Sequence, residues 1–313
     1  MIELSTGHVY APNRVPRKES DKCKPGTKQA KWKLQAEEDL AKVQGLNCVV
    51  LRLANVYGPY ASGAGLSTAL CMARVYQSEG REMKWLWDRE LRCNTVHVED
   101  VVSAMWSAAE WYVRKMGTHI EMREVGGNGE EDGDAGTVTA GLTAVTLTSG
   151  EREGEAPPAQ GAGAQSQPTG LPPSQPPQNN PPPLRPLPTF NIVDHTSTSQ
   201  AHLSSLISSY FTLPSTFAST LTSAFARVNL DRVVTAANDD LLDPWAELLQ
   251  NANITRPGPI SPFMEREMLG DRELSMDGSK FEREVGFVYQ REKLGEREVA
   301  EVVDSWARMG WWP

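Results

Sequence analysis

Four polar side chains have the types and settings from which a ligand site could be built. Thr6 offers a hydroxyl at the end of a short strand pattern, Asn55 an amide after a second strand pattern, and Lys33 an ammonium on a helical pattern. Arg92 offers a guanidinium, whose planar fork suits phosphate geometry. Each side chain also has an ordinary explanation as a strand-end hydroxyl, a turn former or a surface charge. Whether these four side chains form a ligand site therefore depends on the strands and helices that carry them.

The helical stretch around Lys33 raises the sharpest question. Lys33 precedes Glu37 by four residues, so an ordinary surface pair one turn apart would explain both side chains. One turn before Lys33 stands Gln29, whose amide has no proton to lose near neutral pH and cannot act as a general base. The stretch is either a surface helix or a catalytic helix that lacks its acid.

A metal site is not predicted. His97, Glu99 and Asp100 are close in sequence, but a strand-to-helix junction would point them in different directions. The 4 cysteines form no C-x-x-C pair, which is typical of reduced thiols in a cytosolic protein. We expect His97 to be structural and Glu99 or Asp100 to cap the following helix.

Charge and hydropathy limit the classes of partner. A net charge of -9 argues against nucleic acid or an anionic membrane surface, because either would favour a basic face. No apolar run approaches the length of a membrane span, and the first residues lack the pattern of a signal peptide. We therefore expect a cytoplasmic protein whose partners are small molecules or proteins.

Hydrophobic patterning predicts an α/β architecture. A short N-terminal strand precedes a helix over 28–43, a buried strand in "CVVLRLANV" and a second helix over 65–78. Short strands in "MKWLW" and "NTVHV" precede a third helix, and "TFNIVD" is a later strand. Residues 213–250 look mostly helical, and a last helix ends at Gly310. The alternation favours a parallel sheet with a mainly helical C-terminal lobe.

Two helices are predicted from apolar residues at helical spacing. In the first helix these residues are Trp32, Ala36, Leu40 and Val43. In the helix after "NTVHV" they are Val102, Met105, Trp106, Ala109 and Val113.

A biased segment interrupts the pattern. Residues 126–188 begin acidic and glycine-rich and then hold 12 of the 22 prolines of the chain. Such a composition cannot bury enough apolar surface to offset its ordering entropy, which predicts a disordered insertion. Its PxxP-like pieces could bind SH3 or WW grooves. The predicted division is thus 1–125, 126–188 and 189–313.

Five motifs in fixed order share a resemblance. They are "STGHVY" at 5–10, "KWKLQAEEDL" at 31–40, "VVLRLANVYGPY" at 49–60, "NTVHVEDVVSA" at 94–104 and "TFNIVD" at 189–194. Their order and spacing resemble the extended short-chain dehydrogenase/reductases, the NAD-dependent epimerase/dehydratase family that typically acts on nucleotide sugars. The resemblance implies an incomplete Rossmann-type doubly wound sheet, because Met1 lies two residues into the matching strand. It therefore predicts that the dinucleotide-binding N-terminal half is absent.

The resemblance also assigns roles by position. Thr6 falls on the catalytic Ser/Thr that hydrogen-bonds the substrate oxygen, and Lys33 falls on the lysine that binds the nicotinamide ribose and lowers the pKa of a tyrosine base. Asn55 falls in the loop lining nicotinamide and substrate, and Arg92 is a candidate for pyrophosphate contact. The tyrosine position itself holds Gln29.

Three departures from the family pattern accompany these assignments. Gln29 replaces the phenol, so Tyr10 or a substrate-bound water would have to serve as base, and a Y-x-x-x-K at Tyr289 and Lys293 lies outside the register. The family arginine usually stands where Cys93 is found. Glycine clusters at 126–129 and 161–165 follow no predicted strand, so neither is a dinucleotide motif.

The sequence thus supports two functional hypotheses. The first is an NAD(P)-dependent epimerase/dehydratase-like oxidoreductase acting on a nucleotide sugar or related small molecule, incomplete or inactive as written, with NAD or NADP as cofactor and a possible homodimer. The alternative is a non-catalytic relative that binds partners through the proline-rich insertion.

Overall fold

The computed structural model describes residues 1–63, 65–117, 186–267 and 269–313. Almost all of the predicted insertion at 126–188, with its candidate SH3 or WW motifs and both glycine clusters, lies outside these residues. The strands are β1 (Ile2–Thr6), β2 (Val49–Leu53), β3 (Asn55–Tyr57), β4 (Met83–Trp85), β5 (Thr95–His97), β6 (Thr189–Ile192) and β7 (Ser215–Phe217). The helices are α1 (Lys28–Lys42), α2 (Leu66–Ser78), α3 (Val98–Met116), α4 (Gln200–Phe211), α5 (Thr220–Val228), α6 (Leu230–Asn251), α7 (Ser279–Val285) and α8 (Glu296–Arg308).

The sheet that organises the fold is parallel. Its strand order is β1-β2-β6, so β2 has a neighbour on each side, as its β-branched sequence predicts. Two further parallel pairs, β3 with β5 and β4 with β7, extend the α/β architecture. Among the described strands every ladder is parallel, which confirms the predicted fold class.

Apolar side chains form two main cores. One core lies between α3, α7 and the sheet and includes Phe190 of β6 and Phe281 of α7. The other joins α2, α4 and α8 around the fully buried Trp306. The indole of Trp306 donates to the carbonyl of Ala61 at 3.0 Å, which ties the loop after β3 to α8.

The helical patterns of α1 and α3 do not coincide with the faces that these helices bury. On α3, Val102 and Trp106 are 61% and 72% exposed, and the buried stripe includes Val101, Ala104, Ala108 and Trp111. On α1, Trp32 is 75% exposed. The buried residues of α1 are Ala30 and Glu37, and those of α3 include Asp100 and two alanines, so the most apolar positions did not mark the packed face.

Local predictions also needed correction. The N-cap of α3 is His97, whose Nδ1 accepts a hydrogen bond from the backbone N–H of Glu99 at 3.2 Å. Asp100 instead accepts from the backbone N–H groups of Gln290 and Arg291. The sequence reading missed α7 and also β7, whose pairing with β4 is long-range and leaves little local signal.

No helix in the described ranges combines the length and apolar character needed to cross a bilayer. In the same ranges, no group of three or more histidine, cysteine or acidic residues is arranged to hold a metal ion. The domain boundaries, the cytoplasmic location and the homodimer stay predictions.

Candidate active site

Thr6 ends β1 at the edge of the sheet where parallel strands conventionally build sites. It is the N-cap of a single 3-10 turn, Gly7–Val9, and its Oγ1 accepts a hydrogen bond from the backbone N–H of His8 at 3.3 Å. Gly7 begins this turn. Because Gly7 has no side chain, Met276 can pack against its backbone. The hydroxyl of Thr6 is thereby fixed against the backbone of His8.

His8 connects the first strand to Asn55. Its Nε2 lies 3.5 Å from Oδ1 of Asn55, the first residue of β3. Burial lowers the pKa of the His8 imidazole, the Asn55 hydrogen bond opposes this effect, and the charge of Arg272 lowers the pKa further. The ring is therefore neutral near pH 7 and is available as a base.

Lys33 lies beside β1, but it is not paired with Glu37. Its Nζ donates to the carbonyl oxygen of Leu4 at 2.7 Å and to Oε1 of Glu3 at 3.2 Å. The side chain is 41% exposed, so this pair is screened by solvent. Gln29, one turn earlier, is exposed. The structure thus brings Lys33 to the strand that carries Thr6 without a direct contact between the two.

Glu37 belongs to a buried polar network that sequence reasoning missed. Its carboxylate accepts from the Arg52 guanidinium, with 2.6 Å between Nη2 and Oε2, and from the hydroxyl of Ser5. Arg52 also donates to the Tyr10 hydroxyl at 2.8 Å, which donates in turn to Asn191. The network crosses the sheet because Ser5, Arg52 and Asn191 are register neighbours on β1, β2 and β6.

The N-terminal part of the chain, which carries these residues, matches a known protein family. The sequence model of the NAD dependent epimerase/dehydratase family matches residues 1–122. Residues 1–122 are thus similar to this family. The segment contains Thr6, His8, Lys33 and Asn55, so the candidate site lies within the matched part. No curated protein sequence matches the chain.

Solved structures of similar fold include nucleotide-sugar enzymes. A dTDP-glucose 4,6-dehydratase from Bacillus anthracis str. Ames, in complex with NAD, has 12% sequence identity and a TM-score of 0.51, over 99% of this chain and 63% of that chain. A UDP-N-acetylglucosamine 4-epimerase from Methanobrevibacter ruminantium M1 has 15% identity and a TM-score of 0.48, over 98% and 63%. At such identities the likeness describes the fold, and the chain spans less than two thirds of the length of these structures.

The phenols of Tyr10, Tyr57 and Tyr289 are all buried, and within the described residues the Tyr57 hydroxyl has no hydrogen-bond partner. Tyr10 is bound within the Arg52 network, and burial, partly offset by Arg52, raises the pKa of its hydroxyl to about 12. Tyr289 accepts from the backbone N–H of Val193 and lies outside any helix, so its spacing from Lys293 is coincidental. Burial likewise raises the pKa of Tyr57.

Arg92 stands apart from the other family positions. Its guanidinium donates to the carbonyl oxygen of Ser197 at 2.8 Å, and its backbone N–H is bound by Glu273. Within the described ranges, no hydrogen bond or ion pair joins Arg92 to Thr6, Lys33 or Asn55. Its assignment to pyrophosphate stays a prediction.

Asp194 follows β6 at the same edge of the sheet. Its carboxylate accepts from the Thr95 hydroxyl at 2.7 Å and from the backbone N–H of Thr196 at 2.9 Å. Burial raises the pKa of Asp194 to about 7, and these two hydrogen bonds oppose the shift. A carboxyl group in this state exchanges its proton near neutral pH.

The sequence lacks the glycine-rich turn that is typical of a dinucleotide site. The sequence contains neither G-x-G-x-x-G nor G-x-x-G-x-x-G, the turns that let a backbone approach a pyrophosphate. Lys33, the family position for the nicotinamide ribose, is bound to Glu3 and Leu4. We therefore derive the chemistry of the site only from residues on its substrate side.

Proposed function

We propose that the chain forms the substrate side of an NAD(P)-dependent oxidoreductase of the epimerase/dehydratase type, acting on a nucleotide sugar or related small molecule. The observation that carries this proposal is the junction of Thr6 and Asn55 through His8 at the carboxyl end of β1. His8 contacts both positions that the family resemblance implicates, Thr6 through its backbone N–H and Asn55 through its titratable ring. A structural role alone would not require an ionisable group there.

In this proposal the Thr6 hydroxyl hydrogen-bonds the substrate hydroxyl that is oxidised. The neutral imidazole of His8 accepts the proton of that substrate hydroxyl. The lowered pKa of His8 keeps the ring unprotonated, and Asn55 fixes its orientation. His8 thus takes the place of a phenol, because Gln29 has no proton to exchange and the Tyr10 hydroxyl is already bound. NAD or NADP would supply the redox chemistry, as the family resemblance implies.

Lys33 would act on the cofactor side. Its contacts with Glu3 and Leu4 are partly exposed, and such pairs are weak in water, so the ammonium can leave them at small cost. The match to the family and the fold likeness to a dTDP-glucose 4,6-dehydratase support the proposed substrate class.

The test is turnover by the purified chain with UDP-glucose and either NAD or NADP, followed by nicotinamide absorbance and product chromatography. We expect His8→Gln to lower turnover by roughly 100-fold or more, because positioned acid–base groups contribute on that order. Thr6→Val should also lower turnover. Thr222→Val removes an exposed hydroxyl from α5 and serves as the matched control.

Equal turnover in His8→Gln and the parent chain would contradict the role given to His8. Binding of UDP-glucose without turnover would favour the non-catalytic alternative.

A further inference from the structure

We propose that Tyr57 and His97 form a closed polar site for an uncharged hydroxyl group of a small-molecule ligand, and that the loop at 58–61 covers this site. The identity of that ligand as the substrate rests on the proposed function, whereas its binding can be measured without turnover. The two side chains end the parallel strands β3 and β5, where they are register partners. Tyr57 also lies two residues after Asn55 and hence on the same face of β3.

Both side chains are buried, and each keeps one polar atom without a partner. Tyr57 is 2% exposed and His97 is fully buried. Within the described residues, the Tyr57 hydroxyl and Nε2 of His97 have no hydrogen-bond partner. An unpaired polar group is costly in a protein interior, and most buried polar side-chain atoms are paired. Two such atoms on register partners therefore indicate a ligand site rather than ordinary packing.

The hydrogen bond of His97 determines what this site offers to a ligand. Its Nδ1 accepts from the backbone N–H of Glu99 at 3.2 Å, so the proton of the neutral ring is on Nε2. Burial lowers the pKa of His97 and raises the pKa of Tyr57, so both side chains are uncharged near pH 7. The matching group is an uncharged hydroxyl, whose oxygen accepts from Nε2 and whose proton binds the phenol oxygen.

The backbone of Gly58 closes this site. The rings of Tyr57 and His97 are in edge-to-face contact, with 5.2 Å between their centroids. Gly58 has a φ of 125°, and a Cβ built on it would lie 2.8 Å from Nε2 of His97. Glycine is thus needed here both for its conformation and for its close approach to the imidazole. Because His97 is fully buried, a ligand reaches Nε2 only after this loop has moved.

Helix α8 holds the loop closed. The backbone N–H of Tyr60 donates to Oγ of Ser305 at 2.9 Å, and Nε1 of Trp306 donates to the carbonyl oxygen of Ala61 at 3.0 Å. Tyr60 has a φ of 65°, a left-handed conformation that is costly for a bulky residue and persists only where contacts enforce it. This strain and the unpaired atoms favour opening, whereas the contacts with α8 favour the closed state. A ligand that pairs both atoms would shift the loop towards the open state.

The experiment titrates the full chain with D-glucose, an uncharged probe that carries hydroxyl groups, while NMR follows the rings of Tyr57 and His97. We expect saturable shifts at both rings. Tyr57→Phe should weaken this binding by roughly twofold to tenfold, because one hydrogen bond between uncharged groups is lost. Tyr210→Phe removes a more exposed phenol from α4 and should bind like the parent chain.

Ser305→Ala tests the cover. This change removes the acceptor of the Tyr60 N–H, so we expect faster hydrogen exchange at that amide. We also expect binding of glucose to become tighter by roughly twofold or more, because a larger fraction of the chain is open before the ligand arrives. Ser205→Ala removes an exposed hydroxyl from α4 and is the matched control, for which we expect neither change.

Equal binding of glucose by Tyr57→Phe and the parent chain would overturn the proposal, as would weaker binding by Ser305→Ala or the absence of shifts at His97. A crystal structure with the loop closed and an ordered water bound to both Tyr57 and His97 would also overturn it, because both atoms would then be paired. If turnover with UDP-glucose fails while Tyr57-dependent binding persists, the polar site stands and the proposed function alone is wrong.

Discussion

Replacing Arg52 by methionine is expected to lower the free energy of unfolding by about 3–5 kcal/mol, because the Glu37 carboxylate would stay buried without its partner. Both side chains are only 8% exposed, and Arg52 contributes three hydrogen bonds to Glu37 and one to Tyr10. The Ser5 hydroxyl alone cannot compensate the lost charge. Urea unfolding of the parent chain and the variant measures the effect.

Lys42→Met on the same helix is the matched control. Lys42 forms a fully exposed pair with Asp39, so its removal should leave the unfolding midpoint unchanged. The double variant Glu37→Met with Arg52→Met should recover part of the loss, because no charge stays buried. If Arg52→Met and Lys42→Met unfold at the same urea concentration, the network does not hold α1 on the sheet.

Replacing Asp194 by asparagine is expected to raise stability at neutral pH and to have little effect in acid. The folded pKa of about 7 lies above the ordinary value of 3.8, so the native state holds the Asp194 proton more tightly than the unfolded state. The parent chain therefore loses stability as the pH rises from about 4 to about 7. At about 1.4 kcal/mol per unit the upper limit is roughly 4 kcal/mol.

The measurement is urea unfolding of parent and Asp194→Asn chains across this pH range. The stability difference should grow with pH and level off above the folded pKa. Asp277→Asn is the control of opposite sign, because the hydrogen bonds of Ser279 lower the pKa of Asp277. A constant difference for Asp194→Asn at every pH would contradict the raised pKa.

Much of the fold follows from the sequence because its signals are local. The spacing in 28–43 predicted α1, whose bounds are Lys28–Lys42, and the β-branched run at 49–53 predicted the central strand. The ordered motifs also predicted the family whose sequence model matches residues 1–122. These features depend on neighbours along the chain, which a sequence displays directly.

The site was less predictable because its contacts are distant in sequence. The spacing allowed Lys33 to pair with Glu37, yet Lys33 binds Glu3 and Glu37 binds Arg52. The packing of α1 on the sheet determines these partners. His8 lies in the motif "STGHVY", two residues after Thr6. A histidine at the end of a predicted strand was the available signal.

The most direct test of the central claim is an NMR titration of the full chain with UDP-glucose, in which backbone amide shifts locate the bound ligand. The account predicts saturable shifts that are largest at Thr6, His8 and Asn55 and that weaken in Thr6→Val. Absence of binding, or shifts confined to residues away from the carboxyl end of β1, would contradict it.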